Sequence, residues 1–267
     1  MLEEKIDSSI VKDLYKPPKG SHKGQNGVAL IVGGSKRFHG APLFAAKIAS
    51  KIVDLVYFSS VPENNELIKK MKSELCDFIA VPRGEALDVA DKTDAILIGP
   101  GLGVSDKTKS LINNLLKKFP NKKFVLDSDA FAGLDKHLLG KNCVVTPHKK
   151  EFKEFFGLDA SKKAALEMAK KYGFTIVLKG VEDYISNGEE LRVNTTGNAG
   201  MTKGGTGDVL AGLIAALACK NDLFLAACVG VFINGLSGDR LKEKVSYYFN
   251  ASDLVNEIPK TIKHLLN

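Results

Sequence analysis

Gly27-Val28-Ala29-Leu30-Ile31-Val32-Gly33-Gly34 is the stretch from which the fold is read. An unbroken apolar run closed by glycines reads as a strand buried on both faces and ended by a turn. From Ala41 to Ile52 apolar residues recur at helical spacing, and Val53 to Phe58 forms a second short apolar strand. The same alternation returns along the chain. Strands are expected at Ala95–Ile98, Lys123–Leu126, Cys143–Val145 and Thr175–Leu178, with an amphipathic helix over Lys107–Lys118. Strands alternating with helices predict a mostly parallel central sheet covered on both faces, a three-layer α/β/α sandwich.

Near Asp183 the rhythm changes. Tyr184–Asn187, Gly188 and Glu189–Asn194 read as a hairpin turning near Asn187-Gly188. A glycine-rich loop follows over Gly197–Gly207, then an apolar helix over Asp208–Cys219. Further helices are expected over Leu223–Lys244 and Ala251–Leu266. Nearly every strand ends in glycine or polar residues on the same side: Gly99-Pro100-Gly101-Leu102-Gly103, Asp127, Thr146-Pro147-His148, Lys179-Gly180. Open parallel sheets bind ligands outside the carboxyl ends of their strands, so the chemistry is expected there.

Composition sets the broad class. The 267 residues contain no linker or composition shift, so residues 1–267 are expected to form a single domain. At 44% hydrophobic and 26% charged, the chain matches an ordinary soluble globular protein. The net charge of +7 comes from lysines spread along the sequence. The short groups Lys69-Lys70-Met71-Lys72, Lys117-Lys118 and Lys149-Lys150 read as solvated faces. No basic-aromatic motif accompanies them, so no nucleic-acid partner is expected, and an anionic nucleotide explains the sign equally well. Cys76, Cys143, Cys219 and Cys228 form no C-x-x-C pair and read as reduced core thiols. The charged start at Met1-Leu2-Glu3-Glu4-Lys5 lacks a signal-peptide core, and the apolar stretch Leu223–Ile233 is shorter than the roughly 20 residues a membrane span needs. A cytoplasmic protein without membrane contact is expected.

The sharpest chemical feature is the run from Asn194 to Gly212, NTTGNAGMTKGGTGDVLAG. Gly204, Gly205 and Gly207 allow tight backbone folding. Because the loop opens a helix, the N–H groups of Gly204, Gly205, Thr206 and Gly207 and the helix dipole aim at one spot, an anion hole suited to phosphate. Asp208, in the first turn, is placed to take a proton from a hydroxyl attacking a phosphoryl group. The plainer reading, an acidic residue stabilising a helix start, is outweighed by the glycine density and by the strand ends that share this side. The loop lacks the G-K-[ST] of a Walker A sequence, and the spacing of Gly99, Gly101 and Gly103 rules out a Rossmann fingerprint.

The G-G-T-G-D-V-L-A-G run resembles the signature of ribokinase-like enzymes, and the chain is similar, more narrowly, to the ADP/ATP-dependent NAD(P)H-hydrate dehydratase family. The resemblance rests on segments in order along most of the sequence. These are Lys23–Gly27, Gly33-Gly34-Ser35 with Gly40-Ala41-Pro42, Gly99–Gly103, Val125–Ala130, Thr146-Pro147-His148, Val177–Gly180, the long loop, and Ala251-Ser252-Asp253-Leu254. It implies that Ala41, Gly103, His148 and Asp208 contact a hydrated dinucleotide. It also implies that Lys179, Gly180, Val181, Glu182 and Asp183, with Gly207, contact an adenine nucleotide. Asp208 would be the catalytic base. ADP or ATP would phosphorylate the ring hydroxyl of hydrated NADH or NADPH, and loss of phosphate would restore the reduced dinucleotide. Mg²⁺ and a homo-oligomer, conceivably a tetramer, are further implications. Phe38 stands where the family suggests Tyr, and Ser128 and Phe131 where it suggests Ala and Leu. Thr202-Lys203 replaces a smaller pair, and no segment reads as the epimerase domain often fused N-terminally in the family.

Other readings stay open at this level. Asp127 and Asp129 read as paired carboxylates or metal ligands, or as caps of the helix starting near Asp129, with capping preferred. Lys179, Lys203 and Lys23 are each either ligand contacts or solvated. His22, His39, His137 and His264 read as surface residues. A kinase of the same fold acting on a thiazole or pyrimidine alcohol is the alternative enzyme; a non-catalytic nucleotide sensor is the alternative from another class.

Overall fold

The computed structural model describes residues 3–71 and 76–266. Met1, Leu2, Lys72 and Asn267, which enter the expectations above, lie outside the described residues. The strands are β1 (Glu3–Lys5), β2 (Val28–Val32), β3 (Leu55–Ser60), β4 (Ile79–Pro82), β5 (Ala95–Ile98), β6 (Lys123–Leu126), β7 (Cys143–Val145), β8 (Thr175–Leu178), β9 (Asp183–Ser186) and β10 (Leu191–Asn194). The helices are α1 (Gly40–Ala49), α2 (Pro62–Met71), α3 (Ala86–Ala90), α4 (Asp106–Lys118), α5 (Lys149–Phe156), α6 (Lys162–Tyr172), α7 (Thr206–Ala218), α8 (Leu223–Val245) and α9 (Ala251–Leu266).

All ten strands join one sheet, in the order β1-β10-β9-β8-β7-β6-β5-β2-β3-β4. Among the described residues β9 alone runs against the others, because β8–β9 and β9–β10 are the antiparallel pairs. Asn187 Oδ1 accepts from the N–H of Glu189 and of Glu190, which closes the hairpin. The chain first grows outward from β2 through β3 to β4, then returns to β5 on the other side of β2. A reversal of this kind opens a crevice at the carboxyl ends of β2 and β5.

Successive side chains of a strand face opposite ways, and both faces here are buried. Ala29 and Ile31 pack into a core with α1, α7, α8 and α9. Leu30 and Val32 pack into a second core with α3, α4, α5 and α6. The sheet is therefore the middle of three layers, as the alternation of elements predicts. Helix α7 is buried over nearly its whole length, and this explains its uniformly small or apolar sequence. At Gly212 a Cβ would stand 2.6 Å from the carbonyl oxygen of Ala45, so the glycine permits close approach of α1 and α7.

Two expectations change. Helix α8 is longer than the apolar run to Ile233 suggests, and by length and composition it is able to cross a membrane; 72% of its apolar window is buried inside the protein, where it packs on α7 and α9. Its apolar character is that of a core helix. Cys143, Cys219 and Cys228 are buried, but Cys76 is exposed in the connection between α2 and β4. Burial pushes the Cys143 thiol up to about 11 and that of Cys219 to about 12.

Candidate active site

The loops after β2 and β5 meet at the crevice. Gly34 N–H donates to Pro100 O at 2.8 Å, and Ser35 N–H to Phe38 O at 3.1 Å. A Cβ on Gly101 would fall 2.7 Å from Phe38 Cβ and 3.3 Å from Ala41 Cβ, and one on Gly103 3.4 Å from Ser35 Cβ. Ala41, Gly101 and Gly103 are thus brought together where the loops after β2 and β5 meet. From behind, Arg83 Nη2 donates to the carbonyls of Gly33, at 2.8 Å, and of Gly34. Asn64 Nδ2 donates to Ser60 Oγ at 2.9 Å, and its Oδ1 pairs with His39 Nδ1. His39 is therefore a part-buried brace of this loop, contrary to its reading as a surface residue. Its partner lies 25 residues away in the chain.

The second wall is charged. Lys179, after β8, places Nζ 2.9 Å from Asp127 Oδ1, after β6. The same oxygen accepts from Thr146 Oγ1, after β7, at 2.7 Å. Asp127 does not cap the helical turn Ser128–Ala132 that it precedes, and Asp129 does not cap it either. Asp129 Oδ2 instead accepts from Gly103 N–H at 2.9 Å. The preferred capping reading of both residues is corrected on this point: each carboxylate reaches across to another strand end, where a stronger or more distant donor waits.

Asp208 stands in the first turn of α7. Among the described residues its carboxylate makes no hydrogen bond or ion pair. Burial raises its pKa, Asp127 adds to the rise, Lys179 opposes it, and Asp129 and Glu151 contribute further, so the group titrates at about 7. A carboxyl group held near neutrality is suited to general-base work. Burial alone would lower the Lys179 ammonium, but Asp127 and Glu151, with Asp208 behind them, hold it above its ordinary value. Lys179 is a cation whose charge is secured from three sides.

The glycine loop divides its labour. Gly205 has φ of 97°, and a Cβ there would lie 2.7 Å from the Phe44 ring and 2.8 Å from Ala251 Cβ. It serves the turn and the packing under it. Above Gly204 there is open space, and a Cβ on Gly207 would meet Lys179 Nζ at 3.8 Å. Thr206 is buried and donates its hydroxyl to Met201 O at 2.6 Å, bracing the loop. Thr206 N–H donates to Lys203 O at 3.4 Å, so the expected anion hole loses that donor; among the described residues the backbone bonds outside the regular elements leave the N–H groups of Gly204, Gly205, Gly207 and Asp208 free.

A cleft of about 460 Å³ leads away from this point, with Lys179, Gly180, Val181, Asp183 and Gly207 in its lining. Leu210, Val231 and Met201 make its floor apolar, and Asn198 and Asn234 bring polar groups. Glu182 is not in the lining; it accepts from Tyr184 Oη at 2.9 Å instead. The loop is anchored by Asp239, which accepts from Gly197 N–H and Asn198 Nδ2, both at 2.9 Å. Asp239 and Asn234 escaped the sequence reading, since no local pattern sets them apart.

His148 caps α5. Its Nδ1 accepts from the N–H of Lys150 and Glu151 at 3.1 Å, while Glu151 Oε2 accepts from His148 N–H at 2.8 Å. A capping box of this kind was visible as His148 followed three residues later by Glu151. His148 Nε2 lies 3.5 Å from Glu151 Oε1, on a side chain 52% exposed. Lys203 is exposed, in keeping with its solvated reading; its Nζ donates to Tyr247 O and lies 5.1 Å from the Phe249 ring centroid. Lys23 is exposed ahead of β2, at the end of the sheet away from the site.

A resident metal has little to hold it. Among the described residues no group of three or more His, Cys, Asp or Glu side chains could bind an ion. Asp127 is already engaged by Lys179 and Thr146. Among the described residues these side chains do not form a metal cage.

A mostly parallel sheet between two layers of helices, a glycine-rich loop opening α7 and an unpaired carboxylate in its first turn match the ribokinase-like fold, shared with solved structures of that superfamily. A family model described as NAD(P)H-hydrate dehydratase matches residues 29–260, and the chain belongs to that family. It is 43% identical over 260 residues, 95% of this chain and 51% of the relative, to the bifunctional NAD(P)H-hydrate repair enzyme Nnr of Methanocaldococcus jannaschii. It is 36% identical to the ADP-dependent (S)-NAD(P)H-hydrate dehydratase of Nitrosopumilus maritimus, covering 98% of both chains. The chain spans about half the length of the bifunctional relatives it matches. The crystal structure of the ADP/ATP-dependent NAD(P)H-hydrate dehydratase of Bacillus subtilis, co-crystallised with ATP/Mg²⁺, superposes with a TM-score of 0.84 at 25% identity, covering 98% of each chain.

Proposed function

We propose that the protein uses ADP or ATP to dehydrate the S-epimer of hydrated NADH or NADPH, with Asp208 as the base. Asp208 takes the proton of the ring hydroxyl as its oxygen attacks the terminal phosphoryl group, and the nucleotide leaves one phosphate shorter. The ring carbon–oxygen bond then breaks, inorganic phosphate departs with the bonding pair, and the neighbouring ring carbon gives up a proton to restore the double bond. One observation carries the reading: the unpaired Asp208 carboxylate, pushed up to about 7, lies in the first turn of α7 beside the free N–H groups of the glycine loop and under the influence of Lys179, Asp127 and Asp129.

The nucleotide is placed in the cleft lined by Lys179, Gly180, Val181, Asp183 and Gly207, its phosphates toward Lys179 and the start of α7. The hydrated dinucleotide is placed at Ala41, Gly103 and the half-exposed edge of His148, within reach of Asp208. The relatives named for this activity support the pairing of an adenine nucleotide with a hydrated dinucleotide as substrates. Mg²⁺ would arrive on the nucleotide phosphates, since it keeps several waters and needs few protein ligands. A homo-oligomer in the cytoplasm completes the reading. Exposed Val245 at the end of α8, with Tyr247 and Tyr248 just after it, gives it apolar surface to use.

The test mixes the protein with hydrated NADH, Mg²⁺ and ADP or ATP and follows the reduced-nicotinamide absorbance. A nucleotide-dependent rise, abolished by Asp208→Asn while nucleotide binding survives, is the expected result. No rise with either nucleotide overturns the dehydratase reading and turns attention to thiazole and pyrimidine alcohols as kinase substrates.

A further inference from the structure

Asp127, Thr146 and Lys179 follow three adjacent parallel strands, β6, β7 and β8. The Asp127 side chain is 4% exposed and that of Lys179 19%. Oδ1 of Asp127 receives both the Thr146 hydroxyl, at 2.7 Å, and the Lys179 ammonium, at 2.9 Å. A buried ion pair rarely stabilises a fold better than apolar packing would. What it does here is hold a cation in one place. That place is beside Gly207, at the free N–H groups that open α7.

We infer that Asp127, with Thr146, is the positioning residue of phosphoryl transfer, holding the Lys179 ammonium where it neutralises charge on the transferring group. The inference rests on the reading of Asp208 as base in a nucleotide-dependent reaction. Lys179 supplies a fixed positive charge beside the backbone donors, so charge developing on the phosphoryl oxygens meets a preorganised site. Thr146 orients the carboxylate, and the carboxylate orients the ammonium. Four charged groups face Asp208: Asp127 and Asp129 from the end of β6, Glu151 from α5 and Lys179 from the end of β8. The pH profile of Asp208 therefore reports on Asp127 and Lys179 separately.

The test is the pH dependence of kcat in Asp127→Asn, Thr146→Val and Lys179→Met, beside the thermal shifts produced by ADP and by adenosine. Asp127→Asn is expected to lower kcat about 100-fold, the scale of a small misplacement of a catalytic group. KM for the hydrated dinucleotide stays within about two-fold of wild type on the same argument. The acid limb moves to lower pH, because a carboxylate beside Asp208 is gone. Lys179→Met moves the limb to higher pH, and Thr146→Val lowers kcat by a smaller factor without moving it. A residue that only stabilises the fold would leave the limb in place, and Asp127→Asn with that result overturns the inference. If Asp127→Asn does not fold, Thr146→Val decides, and a wild-type kcat there overturns it. The thermal shift separates this from the functional reading. The extra shift that ADP gives over adenosine disappears in Asp127→Asn whether or not hydrated NADH turns over, and its persistence overturns the inference alone.

Discussion

The carboxylate of Asp129 accepts a hydrogen bond from the backbone N–H of Gly103 at 2.9 Å, so the loop after β6 restrains the loop after β5. Gly103 has φ of 76° and faces Ser35 across the crevice. Loss of this tie frees a wall of the proposed dinucleotide site without touching the cleft beyond Lys179. Asp129→Ala is expected to raise KM for the hydrated dinucleotide about ten-fold, a difference of ~1.4 kcal/mol, and to leave ADP affinity unchanged. Steady-state kinetics with each substrate varied in turn checks it.

Asp208 predicts a pH profile and a stability effect of opposite sense. Activity needs the ionised base, so kcat/KM should rise with pH through about 7, the value to which burial and then Asp127 push the group. Its folded pKa lies above the ordinary carboxyl value of 3.8. The folded state thus holds its proton more tightly, and stability is lost as pH rises from near 4 to near 7. Asp208→Asn removes that loss. It should cut turnover by about 10²–10⁴ while raising stability at pH 8 by ~1–2 kcal/mol, less than the full shift would give. Urea denaturation at acid and alkaline pH compares the two chains; equal stability at both would contradict the raised pKa.

Two neighbouring glycines should fail differently. At Gly205 an added methyl meets the Phe44 ring and Ala251 below 3 Å, on a backbone with positive φ. Gly205→Ala is expected to cost about 2–4 kcal/mol from strain and overpacking together. At Gly207 the nearest atom is Lys179 Nζ at 3.8 Å, an ordinary contact. Gly207→Ala should fold with unchanged or slightly higher Tm, yet bind ADP more weakly because the methyl enters the anion site. Thermal melts with and without ADP distinguish them.

Away from the site, Glu257 is 3% exposed between α8 and α9, with Lys244 Nζ at 2.6 Å, Arg240 Nε at 3.2 Å and Lys260 Nζ at 3.8 Å. Burial raises its pKa, but the hydrogen bonds from Lys244 and Arg240 outweigh that and hold it below 4.5. The stabilisation is present above the unfolded value and lost as pH falls through the folded one. Glu257→Ala should cost about 2–4 kcal/mol at pH 7, since the cations lose a buried partner. The gap between wild type and variant should close on acidification. Activity per folded molecule should not change.

Much of this was legible in the amino-acid order. The bounds of β5, β6, β7 and β8 agree with those read from apolar runs, and α9 matches its expected span. The hairpin at Asn187-Gly188, the glycine loop and the place of Asp208 in the first turn of α7 were also readable. All are local: apolar period, turn residues and helix starts involve neighbours within a few positions.

Only the folded chain decided what the polar side chains hold. Asp127 and Asp129 looked like caps because nearby N–H groups were the partners visible in sequence. Their actual partners are Lys179, 52 residues on, Thr146, 19 residues on, and Gly103, 26 residues back. His39 found Asn64, and Lys203 found Tyr247 and Phe249, by the same route. Apolar periodicity assigned the layers, because burial is demanded along a whole face at once. A hydrogen bond needs one donor and one acceptor, and parallel strands far apart in sequence bring those together only once the sheet has formed.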